Sequence, residues 1–140
     1  MAGNLLKVTL DTNILISAIG FGGKPRKILQ LVLDKKILAI TSLILIAELE
    51  DVVSKKFPKL ANNFIIITKQ LEEQLQIVRP VKSLKIVRDD PDNRILEAAL
   101  EGQCQYIITG DKELLTLGLF KGIKILSASD FLEEVELTHN

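Results

Sequence analysis

Several polar interruptions in this chain place a carboxylate directly after an apolar run. Asp11 follows "KVTL" and opens "DTNILISA", Asp111 follows "YIITG" and opens "DKELL", and "RDDPDNRILEAAL" carries Asp89, Asp90 and Asp92 within four positions. A further acid, Glu48, lies in "SLILIAELEDVV" beside an apolar stripe through Ile46, Leu49, Val53 and Phe57, which Leu45 and Val52 widen. Glu50 borders the other edge of that stripe. Each acid has a plain structural use. Asp is among the best N-cap residues, worth about 1 kcal/mol, which serves Asp11 and Asp111. Asp90 is placed to cap a helix with Pro91 at its first position and Asp92 in its first turn. The local pattern leaves Asp89, Asp90 and Asp92, and likewise Glu48 and Glu50, as alternatives. Together they raise a sharper expectation, because carboxylates drawn into one partly buried site repel strongly unless a cation compensates them. Convergence would imply a divalent metal, and oxygen-only ligation favours Mg²⁺ or Mn²⁺ over zinc.

The elements that must position these acids alternate. Apolar runs of strand length predict strands at Leu6 to Leu10, Leu38 to Thr41, Gln76 to Val78 or Leu84 to Val87, Tyr106 to Thr109, and Lys124 to Leu126. Helical spacing predicts helices at Asn13 to Ile19, Arg26 to Lys35, Leu43 to Phe57, Asn62 to Leu75, Asn93 to Glu101, Lys112 to Leu117, and Asp130 to Val135. This is the pattern of an α/β fold with a mostly parallel sheet covered by helices. In such sheets ligands bind beyond the carboxyl ends of the strands, where the strand order reverses. Asp11 and Asp111 both fall just after a strand.

The totals narrow the chemistry. At 140 residues the chain is expected to form a single domain, residues 1–140, and 47% hydrophobic content with 26% charge suits a compact protein. Apolar runs fall short of the roughly 18 residues needed to cross a bilayer, and the start of the chain does not read as a secretory signal. The lone Cys104 fits a reducing, cytoplasmic setting. His139 is the only histidine, which weighs against mechanisms built on a histidine base. "GFGGKP" is not a phosphate-binding loop, since Pro25 stands where Ser or Thr is required. A phosphoaspartyl route of the haloacid dehalogenase type needs a second Asp where Asn13 stands.

In order and spacing, "VTLDTNILISA", "SLILIAELEDVV", "DNRILEAAL" and "TGDKELL" resemble the PIN domain, a metal-dependent ribonuclease fold common among toxins of toxin-antitoxin pairs. The resemblance runs nearly end to end. It implies a PIN-like three-layer sandwich with a mostly parallel five-stranded sheet, and it selects Asp11, Glu48, Asp92 and Asp111 as catalytic and metal-binding residues. Asn13, Asn93 and Thr109 become their supports, and Glu113 a candidate extra acid. The implied reaction is Mg²⁺- or Mn²⁺-dependent hydrolysis of RNA, leaving a 5′ phosphate and a 3′ hydroxyl. Implied partners are an RNA substrate, a cognate antitoxin and a second copy of the chain. The alternative is a PIN-fold binding module with little or no nuclease activity.

Eighteen basic side chains balance eighteen acidic ones, so RNA would have to be gripped locally and in a strongly salt-dependent way. The candidates are Lys24, Arg26, Lys27, Arg94 and Lys112, with Lys55, Lys56 and Lys59 following Glu48. An apolar helix face formed by Ile28, Leu29, Leu31 and Val32 offers a dimer contact, although core packing would account for it equally.

Overall fold

The computed structural model describes residues 5–59 and 61–139; the first four residues, part of the chain start read above, lie outside it. In chain order the elements are β1 (Leu6–Leu10), α1 (Thr12–Gly20), α2 (Gly23–Leu33), β2 (Ile37–Thr41), α3 (Leu43–Lys56), α4 (Ala61–Glu72), β3 (Leu75–Ile77), α5 (Asp90–Glu101), β4 (Tyr106–Ile108), α6 (Lys112–Leu117), β5 (Leu119–Phe120), β6 (Ile123–Leu126) and α7 (Ala128–His139). The strands form one sheet in the order β3-β2-β1-β4-β6-β5. All neighbours run parallel except β5 and β6. The chain therefore builds outward from β1 through β2 to β3, then returns to the other side of β1 with β4. The strand order reverses between β1 and β4, and this is where ligands of open α/β sheets bind.

Alternation along the central strands assigns the two faces. Val8, Leu10, Ile37, Ala39 and Ile108 share a core with Ile14 and Leu15 of α1, Ile28 and Val32 of α2, Leu49 of α3, Phe64 of α4 and Phe131 of α7. Ile40 and Ile107, one position out of phase, face a second core with Ile95, Leu96, Ala98 and Ala99 of α5, Leu114 of α6, and Ile123 and Ile125 of β6. Period-two side-chain direction thus sends successive residues of one strand into different helical layers. Ile28, Leu29 and Val32 are buried here, so the α2 face expected to serve dimerisation is spent on the chain's own core.

The predicted elements are largely present, with three instructive differences. The sheet has six strands rather than five, because "LF" at residues 119–120 forms a two-residue antiparallel edge after Gly118 turns the chain at φ 69°. Such a strand is too short to register as alternation. The third strand is Leu75–Ile77, and Leu84 to Val87 is not a strand. Finally, α5 begins at Asp90, three residues before the predicted Asn93, with Asp89 and not Asp90 at its cap position. The carbonyl of Asp89 accepts the N–H groups of Asp92 at 3.0 Å and Asn93 at 3.2 Å, which is where the helical bonding starts. At its far end α5 stops on Gly102, where a Cβ would lie 2.5 Å from Cγ2 of Ile40 in β2. The glycine is what lets the helix end lie directly on the sheet.

Candidate active site

Asp11 follows β1 at the reversal point. Its backbone N–H donates to the carbonyl of Ile108 at 3.0 Å, which stitches the end of β1 to the end of β4. Its carboxylate caps α1, Oδ1 accepting the Asn13 N–H at 3.1 Å, while Oδ2 accepts the Thr109 hydroxyl at 2.6 Å. Burial pushes the Asp11 carboxyl above its ordinary value; the bonds from Thr109 and Asn13 work against this, and the charges of Asp111 and Asp89 add to it. Asn13 supports Asp11 through its main-chain N–H, and its side chain is exposed.

Thr109 is fully buried and joins two acids. While its hydroxyl donates to Asp11, the same oxygen accepts the Asp111 N–H at 3.0 Å. Asp111 in turn caps α6, Oδ2 accepting the Leu114 N–H at 3.0 Å. A strand, a threonine and a helix cap thus set two carboxylates side by side beyond neighbouring strands.

Asp92 reaches the same place from the first turn of α5. It is 6% exposed, and its Oδ2 is buried without a hydrogen-bond partner. Its carboxyl is pushed up to about 8, first by burial, then by the charge of Asp111 and a proton shared with it, then by Asp89 and Asp11. Glu48 on α3 is half-buried whereas Glu50 is exposed, and burial with the charges of Asp11 and Asp89 raises its carboxyl. The geometry therefore separates residues that local pattern left as alternatives. Asp92 is buried while Asp90 is exposed, and Glu48 feels Asp11.

The remaining candidates have other partners. Asn93 is fully buried, but its side chain serves the segment before α5: Oδ1 accepts the N–H groups of Ile86 at 2.9 Å and Val87 at 3.0 Å, and Nδ2 donates to the Val87 carbonyl at 2.9 Å. Glu113 Oε1 accepts the Arg88 N–H at 2.6 Å. Arg94 pairs with Glu97 at 2.7 Å and donates to the Leu84 carbonyl at 3.1 Å, both through Nη2, while its Nε is buried without a hydrogen-bond partner. Arg26 donates to the carbonyls of Ala18 and Ile19, closing the end of α1 opposite Asp11, and Lys24 donates to Ser129 Oγ at 2.8 Å. Over nine residues α1 rises about 13 Å, so Arg26 works at a distance from the acids. Lys55 is paired with Asp51. Lys112, exposed beside Asp111, is the basic candidate adjoining the cluster.

Among the described residues the ion pairs join Lys55 to Asp51, Arg94 to Glu97 and Lys124 to Glu134, and none neutralises Asp11, Glu48, Asp89, Asp92 or Asp111. No three Asp, Glu, His or Cys side chains among the described residues stand in the arrangement of a formed metal site. The donor set nevertheless fits a hard divalent cation: it is all carboxylate, burial and neighbouring acid charge raise Asp11, Glu48 and Asp92, and one buried oxygen has no partner. Cys104, the only cysteine, is buried, and its thiol is pushed up to about 11, so it offers no nucleophile beside the acids. Asp89 is an acid that the local pattern left open beside Asp90 and Asp92. A helix boundary one residue earlier would have pointed to it, since it acts on Asp11, Glu48 and Asp92.

An α/β sandwich with acids gathered at its switch point defines a class of carboxylate-centred α/β proteins. Residues 7–113 match the PIN domain family, and the chain belongs to that family, whose domains are generally nucleases. It is 33% identical over 144 residues to the uncharacterized protein MJ1680 of Methanocaldococcus jannaschii, covering 94% of this chain and 92% of that protein. In fold it is similar to the crystal structure of VapBC2 from Rickettsia felis bound to a DNA fragment from their promoter. The TM-score is 0.61 at 18% identity, over 86% of this chain and 97% of that one. Among the described residues no helix is long and apolar enough to cross a membrane.

Proposed function

We propose that the chain is a metal-dependent endoribonuclease, and that it acts as the toxin of a toxin-antitoxin pair in the cytoplasm. One observation carries the reading: acids from β1, α3, α5 and the β4–α6 turn act on one another at the switch point with no basic side chain paired to them, and Asp92 buries an unpartnered oxygen. Membership of the PIN family supports nuclease chemistry. The likeness to VapBC2 supports the antitoxin partner, and a second copy of the chain is the further partner this reading expects.

Asp11, Asp92 and Asp111 would hold Mg²⁺ or Mn²⁺, with Glu48 as a fourth ligand or as the group that positions the attacking water. When bound, such a cation supplies a nucleophilic water at neutral pH and compensates charge developing on the phosphate and on the leaving 3′ oxygen. Thr109 keeps Asp11 and Asp111 in fixed relation through one hydroxyl, so that neither carboxylate has to be reoriented when substrate arrives. Lys112, exposed beside Asp111, would be the basic group to meet an RNA phosphate there.

The test is cleavage of a mixed RNA pool with Mg²⁺ or Mn²⁺, with a chelator, and by Asp11→Asn. The chelator and the variant should each abolish cleavage. Equal activity in all three conditions would refute the metal nuclease, and no cleavage by the wild-type chain in either metal would favour the binding module.

A further inference from the structure

Resting on the RNA reading above, we propose that a cavity beyond β2 and β3 takes one unstacked base of single-stranded RNA next to the phosphate that is cut, with Arg79 gripping the adjoining phosphate and Arg94 presenting a flat face to the base. The cavity holds about 220 Å³ and is walled by Leu43 and Ile44 at the start of α3, by Val78, Arg79 and Pro80 after β3, and by Arg94 of α5. Pockets for drug-sized ligands begin at roughly 300 Å³, so this one suits a single base and not a free cofactor. Its place in the sheet ties it to the acids. Thr41 ends β2, Ile77 ends β3, and the Val78 N–H donates to the Thr41 carbonyl at 2.8 Å, so the cavity lies at the same carboxyl ends that Asp11 and Asp111 follow on β1 and β4. The helices that wall it, α3 and α5, also carry Glu48 and Asp92. From β4 to β3 is three strand spacings, about 14 Å, a span that a few nucleotides cover. Lys112 stands beyond β4 and Arg79 beyond β3, so a strand crossing the acids meets a basic side chain on either side of them.

The two arginines of the cavity divide the work. Arg94 donates through Nη2 to Glu97 at 2.7 Å and to the Leu84 carbonyl at 3.1 Å, so its charge is answered and its guanidinium is held in place. Guanidinium planes stack on unpaired bases. Its Nε is one of two buried side-chain atoms among the described residues that lack a hydrogen-bond partner; the other is Oδ2 of Asp92, two positions earlier on the same helix. The start of α5 thus leaves a polar atom unmet at the acids and another on a residue that lines the cavity. Arg79 is exposed and joins no ion pair among the described residues, which leaves its charge for a phosphate. Leu43 and Ile44 are each 59% exposed, an apolar wall open to water, with half-buried Val78 and Pro80 opposite. A base has the flat apolar faces to cover such walls, and its phosphate has the charge to meet Arg79. An apolar protein segment would cover the walls and leave Arg79 unused. A duplex keeps its bases stacked, so the strand that fits is single.

The experiment measures, by anisotropy in chelator at low salt, the binding of a labelled single-stranded RNA of mixed sequence and about eight nucleotides, against a strand of the same length that lacks its bases. The full chain is compared with Arg79→Ala, Arg79→Lys, Ile44→Ser and, as a charge control at the opposite end of β2, Lys36→Ala. Arg79→Ala should bind both strands about fivefold more weakly and lower the slope of log affinity against log salt by about 0.7, one phosphate's share, while Arg79→Lys keeps the slope. Ile44→Ser should bind the RNA about tenfold more weakly and the base-free strand as wild type does. Lys36→Ala should match wild type, and no unfolding midpoint should fall, since every substituted side chain is exposed. Equal losses for the two strands in Ile44→Ser, an unchanged slope in Arg79→Ala, or a loss in Lys36→Ala as large as in Arg79→Ala would overturn the subsite. A shift of oligomeric state in Ile44→Ser at unchanged RNA affinity would overturn it too, and make the face a protein interface. A wild-type chain that binds neither strand would likewise overturn it. RNA cleavage by the wild type with Mn²⁺, beside unaltered binding in the variants, would overturn the subsite and leave the nuclease standing. No cleavage, with the binding losses as expected, would overturn the nuclease and keep the subsite.

Discussion

Replacing Asp92 by Asn should stabilise the metal-free protein at alkaline pH while abolishing its cleavage of RNA. Burial beside Asp111, Asp89 and Asp11 pushes the Asp92 carboxyl up from 3.8 to about 8. A carboxyl raised in the folded state binds its proton more tightly there than in the unfolded chain. Stability is therefore greatest below the unfolded value and falls as pH rises from about 4 to about 8. Above both values the ionised group sets the fold back by at most about 6 kcal/mol. Asn removes that charge but brings a buried amide whose unmade hydrogen bonds cost about 1–3 kcal/mol. The net gain is about 3 kcal/mol at pH 8.5, or about 10 °C in Tm for a domain of this size. At pH 5 the wild-type carboxyl is already protonated and the advantage should vanish. Urea unfolding in chelator at the two pH values reads this difference directly. Added Mn²⁺ should restore the wild type at pH 8.5 and leave the variant unmoved. A variant less stable than wild type at pH 8.5, or a difference that does not change between pH 5 and 8.5, would refute the account of Asp92 as an uncompensated acid.

Thr109→Val keeps the shape of the side chain and removes both the donor to Asp11 and the acceptor for the Asp111 N–H; it should cost about 2–4 kcal/mol in urea unfolding, whereas Thr109→Ser should cost about 1 kcal/mol or less. Equal effects of Val and Ser would mean that the hydroxyl bridge contributes nothing. Asn93→Ala strips three bonds from residues 86–87 and should cost about 2–3 kcal/mol, with faster amide exchange at Ile86 and Val87; unchanged exchange there would rule out the side-chain ladder. Gly102→Ala would ordinarily stabilise a residue at φ −79° by about 0.4–1 kcal/mol. Here its Cβ meets Ile40, and the substitution should instead destabilise by about 1–3 kcal/mol, as a shifted Tm would report.

Elements whose pattern is set by their own packing were readable in the sequence. β1 has the predicted bounds, and α3 and α6 differ from theirs by at most one residue, because apolar spacing and a capping residue agree at each. Residues 78–89 were not readable, and the reason is physical. "LKIV" at 84–87 has the composition of a strand, but its main-chain groups are satisfied by side chains of α5, and nothing in its own composition records that. The same long-range bonding hid the uses of Asn93, Arg94 and Glu113, each of which looked local to an acid in sequence and reaches across to the segment in space. Arg26, a candidate basic grip in the sequence, has a use its own surroundings in sequence do not record, since the carbonyls it closes belong to the preceding helix. Local pattern did not distinguish Glu48 and Asp92 from their neighbours; the family resemblance selected them, and in the structure burial sets them apart, which depends on what packs above them.

Asp11 shows why a structural role and a chemical one need not compete. A carboxylate has about four lone-pair positions over its two oxygens. Capping α1 and accepting from Thr109 occupy one position on each oxygen, and acceptor capacity remains on both. Those two bonds also oppose the effect of burial, favouring the ionised form of a group that burial and its acidic neighbours would otherwise keep protonated. Asp92 lacks such donors, and its carboxyl rises much further. The cap and the threonine therefore lessen the upward push on Asp11 and fix it at the switch point, while Asp92, without them, is pushed up to about 8. An arrangement with one acid held by donors and another without them ties the charge state of the site to its occupancy, which is why the pH dependence of the metal-free protein and its response to Mn²⁺ should disappear together in Asp92→Asn.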